Sequence, residues 1–184
     1  MIFVRMRTLR RLAGAVATLV LFQGCAGVDV WPRPLTVPGE ARPWPTPDAP
    51  GDMELDGVRE SLLRLHNRAR AERKRTRVEI SPELQEAAQL HAEEMAGRGQ
   101  MTHKGADGSS VADRVQNLGY RYRRCGENVA YGHYSPELVM RGWLTSPPHR
   151  KNILGDYRQV GLGYATAKDG TPYWCVTFGL PATR

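Results

Sequence analysis

The chain has 184 residues, 41% of them hydrophobic and 24% charged, which is the makeup of a folded domain with appended segments and not of a disordered or fibrous chain. Lys and Arg number 26 against 19 Asp and Glu, a net charge of +7, but Arg5, Arg7, Arg10 and Arg11 lie in the first eleven residues with no acid beside them. Without that leader the balance is +3, so the electrostatic case for nucleic acid as a partner loses most of its weight.

Those arginines precede an uncharged run from Leu12 to Phe22, the layout of a secretory signal over residues 1–24. The run is shorter than the roughly 20 apolar residues a membrane-spanning helix needs. Leu21-Phe22-Gln23-Gly24-Cys25 resembles the lipobox of bacterial lipoproteins, with Phe22 where leucine is usual. The resemblance implies that Cys25 receives lipid and becomes the new N-terminus. The expected location is extracytoplasmic, anchored to the envelope. In a Gram-negative cell, Ala26 after the cysteine favours the outer membrane.

Residues 25–54 hold Pro32, Pro34, Pro38, Pro43, Pro45, Pro47 and Pro50, so they read as a semi-stiff linker in extended polyproline geometry. The folded domain is expected over 55–184. Val58, Leu62, Leu65 and Ala69 recur at helical spacing. Ser81-Pro82-Glu83 starts a second helix, with Leu84, Ala88, His91 and Met95 facing inward and Gly97 and Gly99 at its exit. A short helix fits Ser109 to Leu118. Ser135-Pro136-Glu137 opens another, which runs through Val139 and Trp143 until Pro147 and Pro148 stop it.

Strand patterns come late. Gln159–Tyr164 and Tyr173–Phe178 flank Lys168-Asp169-Gly170 as a hairpin, with a further strand near Glu127–Tyr131. Helices followed by a small antiparallel sheet indicate an α+β sandwich. With Cys25 given to lipid, Cys125 and Cys175 remain as a pair in an oxidising compartment, and a disulfide between them is expected. Closing that loop would contribute about 4 kcal/mol in the chain-entropy model.

Leu65-His66-Asn67-x-x-Arg70, Met101-Thr102-His103, Gly126-Glu127-Asn128-Val129-Ala130, Trp143, Ser146-Pro147-Pro148-His149-Arg150 and Val160-Gly161-Leu162-Gly163 occur in one order. Together they resemble the bacterial branch of the CAP superfamily, the SCP-like group that includes cysteine-rich secretory proteins and plant pathogenesis-related proteins. The resemblance covers nearly all of residues 60 to 180. It implies a CAP-type α-β-α sandwich, a small antiparallel sheet between helices, and a cleft where two histidines and two glutamates converge. His103 matches the first histidine and Glu127 the glutamate of the Gly-Glu-Asn motif. Leu144, Thr145 and Ser146 follow Trp143 where a second glutamate is usual, and the stretch Asp156–Val160 lacks the second histidine; His149 is the nearest substitute.

His103, His149 and Glu127 are therefore the candidate catalytic residues and the candidate ligands for zinc or another divalent cation. Metal-bound water, with Glu127 as ligand or general base, would support hydrolysis. The plainer reading is a polar cluster in which Glu127 orients His103. His66 and His91 read as hydrogen-bonded core residues, His133 as an exposed turn residue, and Ser109, Ser110 and Ser135 as helix starts. Three functions stay open: a binding module for a small lipid or envelope component, a metal-assisted hydrolase or peptidase, and a structural envelope protein. The expected partners are the membrane, through Cys25, and that small ligand, with the protein monomeric and no nucleic acid bound.

Overall fold

The computed structural model describes residues 55–183. The expected signal (1–24), the expected lipid site Cys25 and the expected linker (25–54) lie outside the described residues. Along the chain run α1 (Leu55–Glu72), β1 (Glu79–Ile80), α2 (Pro82–Arg98), α3 (Val111–Asn117), β2 (Tyr122–Tyr131), α4 (Pro136–Thr145), α5 (Pro147–Ile153), β3 (Gln159–Thr166) and β4 (Pro172–Pro181). The sheet order is β1-β3-β4-β2; β1 pairs parallel to β3 and the other pairs are antiparallel. Among the described residues no helix is long and apolar enough to cross a membrane.

Because side chains alternate along a strand, β4 supplies both faces of the sheet at once. Trp174, Val176 and Phe178 join Val58, Leu62, Val139 and Trp143 under α1, α4 and α5. Tyr173 and Cys175 join Ala88, Ala92, Met95 and Val129 under α2. The result is the helix-sheet-helix sandwich that the order of elements implied. Its sheet lies so close to α2 that a Cβ at Gly161 would land on the Leu84 carbonyl and one at Gly163 on the Ala88 carbonyl. The Val-Gly-Leu-Gly run thus pairs two large residues on one face with two absent side chains on the other.

Local start signals hold with small changes. Ser81 occupies the N-cap of α2 and Pro82 its first turn, but the Ser81 hydroxyl donates to the Glu83 carboxylate and caps no backbone N–H. Ser135 accepts from Leu138 N at 3.3 Å. Pro147 and Pro148 end α4 as expected, yet they also open α5, because proline suits a first helical turn where no N–H partner is needed. The turn after β3 closes with Gly170 at φ 81° and the Asp169 carboxylate accepting from Thr171 N at 2.9 Å.

The Leu-His-Asn-x-x-Arg motif proves to be a set of staples. Asn67 Nδ2 donates to Val78 O at 3.0 Å while its Oδ1 accepts from Val78 N at 2.8 Å, which fixes the chain just before β1. Arg70, 1% exposed, donates to the carbonyls of Thr76, Ile153, Gly155 and Tyr157 at 2.7–3.0 Å and so ties α1 to the α5–β3 connection. Buried backbone carbonyls need donors, and one guanidinium satisfies four of them.

The expected disulfide is overturned. Cys125 and Cys175 are both free thiols. Cys125 pairs across the ladder with Gly179, whereas Cys175 pairs with Val129, four positions away along the same strands. That offset is roughly 13 Å at about 3.3 Å per residue, and a bridge needs Cα atoms within about 7 Å.

Candidate functional site

Glu127 lies on β2 with its side chain toward the α2 face, opposite Thr177 of β4. Its carboxylate is 2% exposed and both oxygens are engaged. Oε1 accepts from His103 Nδ1 at 2.8 Å, and Oε2 accepts from Arg114 Nη2 at 2.5 Å. The buried Cys175 thiol donates to Oε2 at 3.5 Å. His103 itself is half exposed, at 48%, so the cluster is a buried anion with one imidazole carrying it to the surface.

Each partner is positioned from a different element. Ser110 and Asp113 form a capping box at the start of α3, with Asp113 N donating to Ser110 Oγ and Ser110 N donating to the Asp113 carboxylate. This rigid first turn directs the next residue, Arg114, which also donates to the carbonyls of Ser109 at 3.0 Å and His103 at 3.3 Å. The loop bearing His103 is held from α2: His91 Nε2 donates to Thr102 O at 2.8 Å, and Ala106 N donates to the Glu94 carboxylate.

Burial alone would raise the Glu127 carboxyl. The His103 hydrogen bond and the positive influence of Arg114, with those of His91 and His103, outweigh it and hold the group below its ordinary value. Nδ1–H donates to the Glu127 carboxylate, and this bond fixes the orientation of the His103 ring. Burial raises the Cys175 thiol well above its usual range, and nearby Glu127 raises it further, so it is a hydrogen-bond donor and no nucleophile.

Of the three candidate residues, the fold brings two together. His149 belongs to α5, which packs against the other side of β2: Asn128 Nδ2 donates to His149 O at 3.1 Å, Asn152 Nδ2 donates to Asn128 Oδ1 at 2.9 Å, and His149 Nδ1 is 2.9 Å from Ser146 Oγ. Among the described residues no group of three or more His, Cys, Asp or Glu is arranged to hold a metal ion. The donor set also fits a resident divalent ion poorly, because Arg114 already places a positive charge on the Glu127 carboxylate.

Arg114 and Glu94 were not legible as site residues in the sequence, and the Ser110-x-x-Asp113 capping box was the one local hint of Arg114. It also misplaced His133, which is partly buried, its carbonyl accepting from Trp174 Nε1 at 2.8 Å. His66 and His91 are buried as expected. Trp143 closes the opposite face of β2 by donating Nε1–H to Val129 O at 3.2 Å.

Comparison with known proteins agrees with this architecture. The model of the cysteine-rich secretory protein family, CAP, matches residues 63–178. The chain is 28% identical over 120 residues to the uncharacterized protein YkwD of Bacillus subtilis (strain 168), an alignment covering 65% of this chain and 46% of that protein. It is 30% identical over 103 residues to the uncharacterized membrane protein YlbC of the same organism, covering 55% of this chain and 30% of YlbC. The chain thus spans less than half the length of these two relatives. An outer surface protein from Borrelia burgdorferi superposes with a TM-score of 0.65 at 20% identity, over 70% of this chain and 96% of that one. An extracellular SCP-domain protein from Bacillus anthracis gives 0.59 at 22% identity, over 71% and 45% respectively. At these identities the structures share the fold.

Proposed function

The chain belongs to the cysteine-rich secretory protein (CAP) family, and from that premise we propose that it acts outside the cytoplasm as a lipid-anchored binding module. In this reading Cys25 carries the lipid, residues 25–54 space the domain from the membrane, and the surface at His103 takes a small envelope component. The outer-surface and extracellular descriptions of the Borrelia burgdorferi and Bacillus anthracis proteins support the location.

The observation that carries binding over catalysis is the state of Glu127. A general base needs a carboxylate or imidazole near the operating pH and free to take a proton. Glu127 has both oxygens occupied and its proton affinity lowered, so it serves to hold the His103 ring in one tautomer and orientation. His103, 48% exposed, is thereby held as a fixed part of the surface against which a small ligand can dock.

The test has two arms. Intact mass of the membrane fraction checks the anchor: a mature chain starting at Cys25 with added acyl mass is expected, and an unmodified cysteine overturns it. For the site, a panel of envelope extracts is titrated against wild type and His103→Ala, alongside a peptide and ester turnover screen with and without chelator. Loss of binding in the variant with no turnover supports the module; chelator-sensitive turnover that falls with His103 removed replaces it with the hydrolase reading.

A further inference from the structure

The end of α1 opposite its first residue carries a second feature, separate from His103. A cavity of about 140 Å³ is lined by Arg70, Lys74, Arg75 and Arg158, with Asp156 as its one carboxylate. This open groove well exceeds the roughly 10–15 Å³ of such space that one water needs, so a tetrahedral oxyanion fits in it. Asp156 is already committed to Arg158 at 2.9 Å. Among the described residues no ion pair includes Arg70, Lys74 or Arg75.

Like charges crowded together raise the free energy of a fold unless something offsets them. The four carbonyls that Arg70 binds explain its burial but not the three cations gathered around it. Burial lowers the Arg70 guanidinium below its ordinary value, and Arg158 and Arg75 lower it further, with Asp156 opposing. Lys74 is placed beside Arg70 by the end of α1. It sits at φ 53°, the one non-glycine residue with a left-handed backbone among those described. Glycine would adopt that conformation without the steric cost a side chain brings. Lys74 N donates to Ala71 O and Arg75 N to Arg70 O, both at 2.9 Å, so this left-handed residue closes α1 in a Schellman turn, and the turn sets Lys74 and Arg75 beside Arg70.

We propose that this pocket binds a phosphomonoester-class oxyanion, held by Lys74, Arg75 and Arg158 around the buried charge of Arg70. Four cations against one carboxylate leave an excess of three positive charges, of which a phosphomonoester, carrying about −1.5 to −2 at neutral pH, offsets roughly half or more, whereas a carboxylate ligand offsets one. Guanidinium groups present paired N–H donors that match its oxygens.

Inorganic phosphate titrated calorimetrically into the full-length protein at low ionic strength is expected to show one saturable site. Arg75→Glu should weaken it by about tenfold or more. Lys168→Glu, the same charge change on the distant β3–β4 turn, should weaken it by less than about twofold. Lys74→Gly keeps the backbone turn and removes the ammonium, so thermal stability should be retained while phosphate binding falls. Vesicles of phosphatidic acid in phosphatidylcholine distinguish the source: a component of vesicle binding that is sensitive to Arg75→Glu and released by phosphate identifies a lipid headgroup, and phosphate binding without it identifies a soluble or polymer-borne monoester. Absence of saturable phosphate binding, or equal loss in Arg75→Glu and Lys168→Glu, overturns the site.

Discussion

Glu127 and Asn128 are neighbours on β2, yet they serve opposite faces of the sheet. Glu127 reaches His103 and Arg114 on the α2 side, while Asn128 turns to α5 and donates to the backbone carbonyl of His149. The Gly-Glu-Asn motif therefore feeds one side chain to the candidate site and another to the scaffold behind it.

Replacing Glu127 with Gln should leave Arg114 with a buried, uncompensated charge. The expected loss is about 2–4 kcal/mol of stability in urea unfolding. Arg114→Ala in the Glu127→Gln background should cost less than the two single changes added together, because the charge that lacked a partner is gone. Full additivity would mean that the two groups do not interact.

Zinc calorimetry gives the same geometry a different test. Wild type and His103→Ala should bind zinc equally weakly, because Arg114 holds the carboxylate that a metal would need. Micromolar binding that vanishes in His103→Ala would show that Arg114 yields its place to the ion.

Acid should destabilise the fold through His66. This ring lies fully buried between Trp143 and Phe178, with centroids 6.0 and 5.7 Å away, and Nδ1–H donates to Leu62 O at 2.8 Å. Burial pushes its pKa down to about 4; the Leu62 hydrogen bond opposes this and the charge of Arg70 adds to it. The folded value lies below the unfolded 6.5, so the unfolded chain binds the extra proton first. Stability is full above about pH 6.5, declines toward pH 4 and levels off below it, a total of about 3 kcal/mol from this group. His66→Leu should flatten that part of the profile. The same slope in the variant would assign the acid sensitivity elsewhere.

A methyl group at Gly161 meets the backbone of α2 at Leu84, which no rotamer change relieves. Gly161→Ala should cost about 3 kcal/mol or more, at the upper end of overpacking effects. The midpoint of denaturant unfolding reads it directly. A change under about 0.5 kcal/mol would mean that α2 can move away freely.

Both cysteines of the domain should titrate as thiols in the unfolded, non-reduced protein. A reductant should leave Tm unchanged. In the native state the partly exposed Cys125 should react with a thiol reagent before the buried Cys175. A drop in Tm on reduction would restore the bridge that the strand register denies.

Helix starts at Ser81, Ser110 and Ser135, the Asp-Gly turn and the inward face of α2 were legible in the sequence, because caps, prolines and periodicity act over a few residues. The sandwich and the partnership of His103 with Glu127 followed from motif order and family resemblance. The two-residue β1 was not legible, since it exists through a parallel pairing with a strand about 80 residues later. Register and sheet face are long-range quantities: they separated Cys125 from Cys175, put His149 behind the strand that carries Glu127, and brought Arg114 to a carboxylate thirteen residues away. Local chemistry specified the pieces of this protein, and the choice of which charges meet was made only when the strands paired.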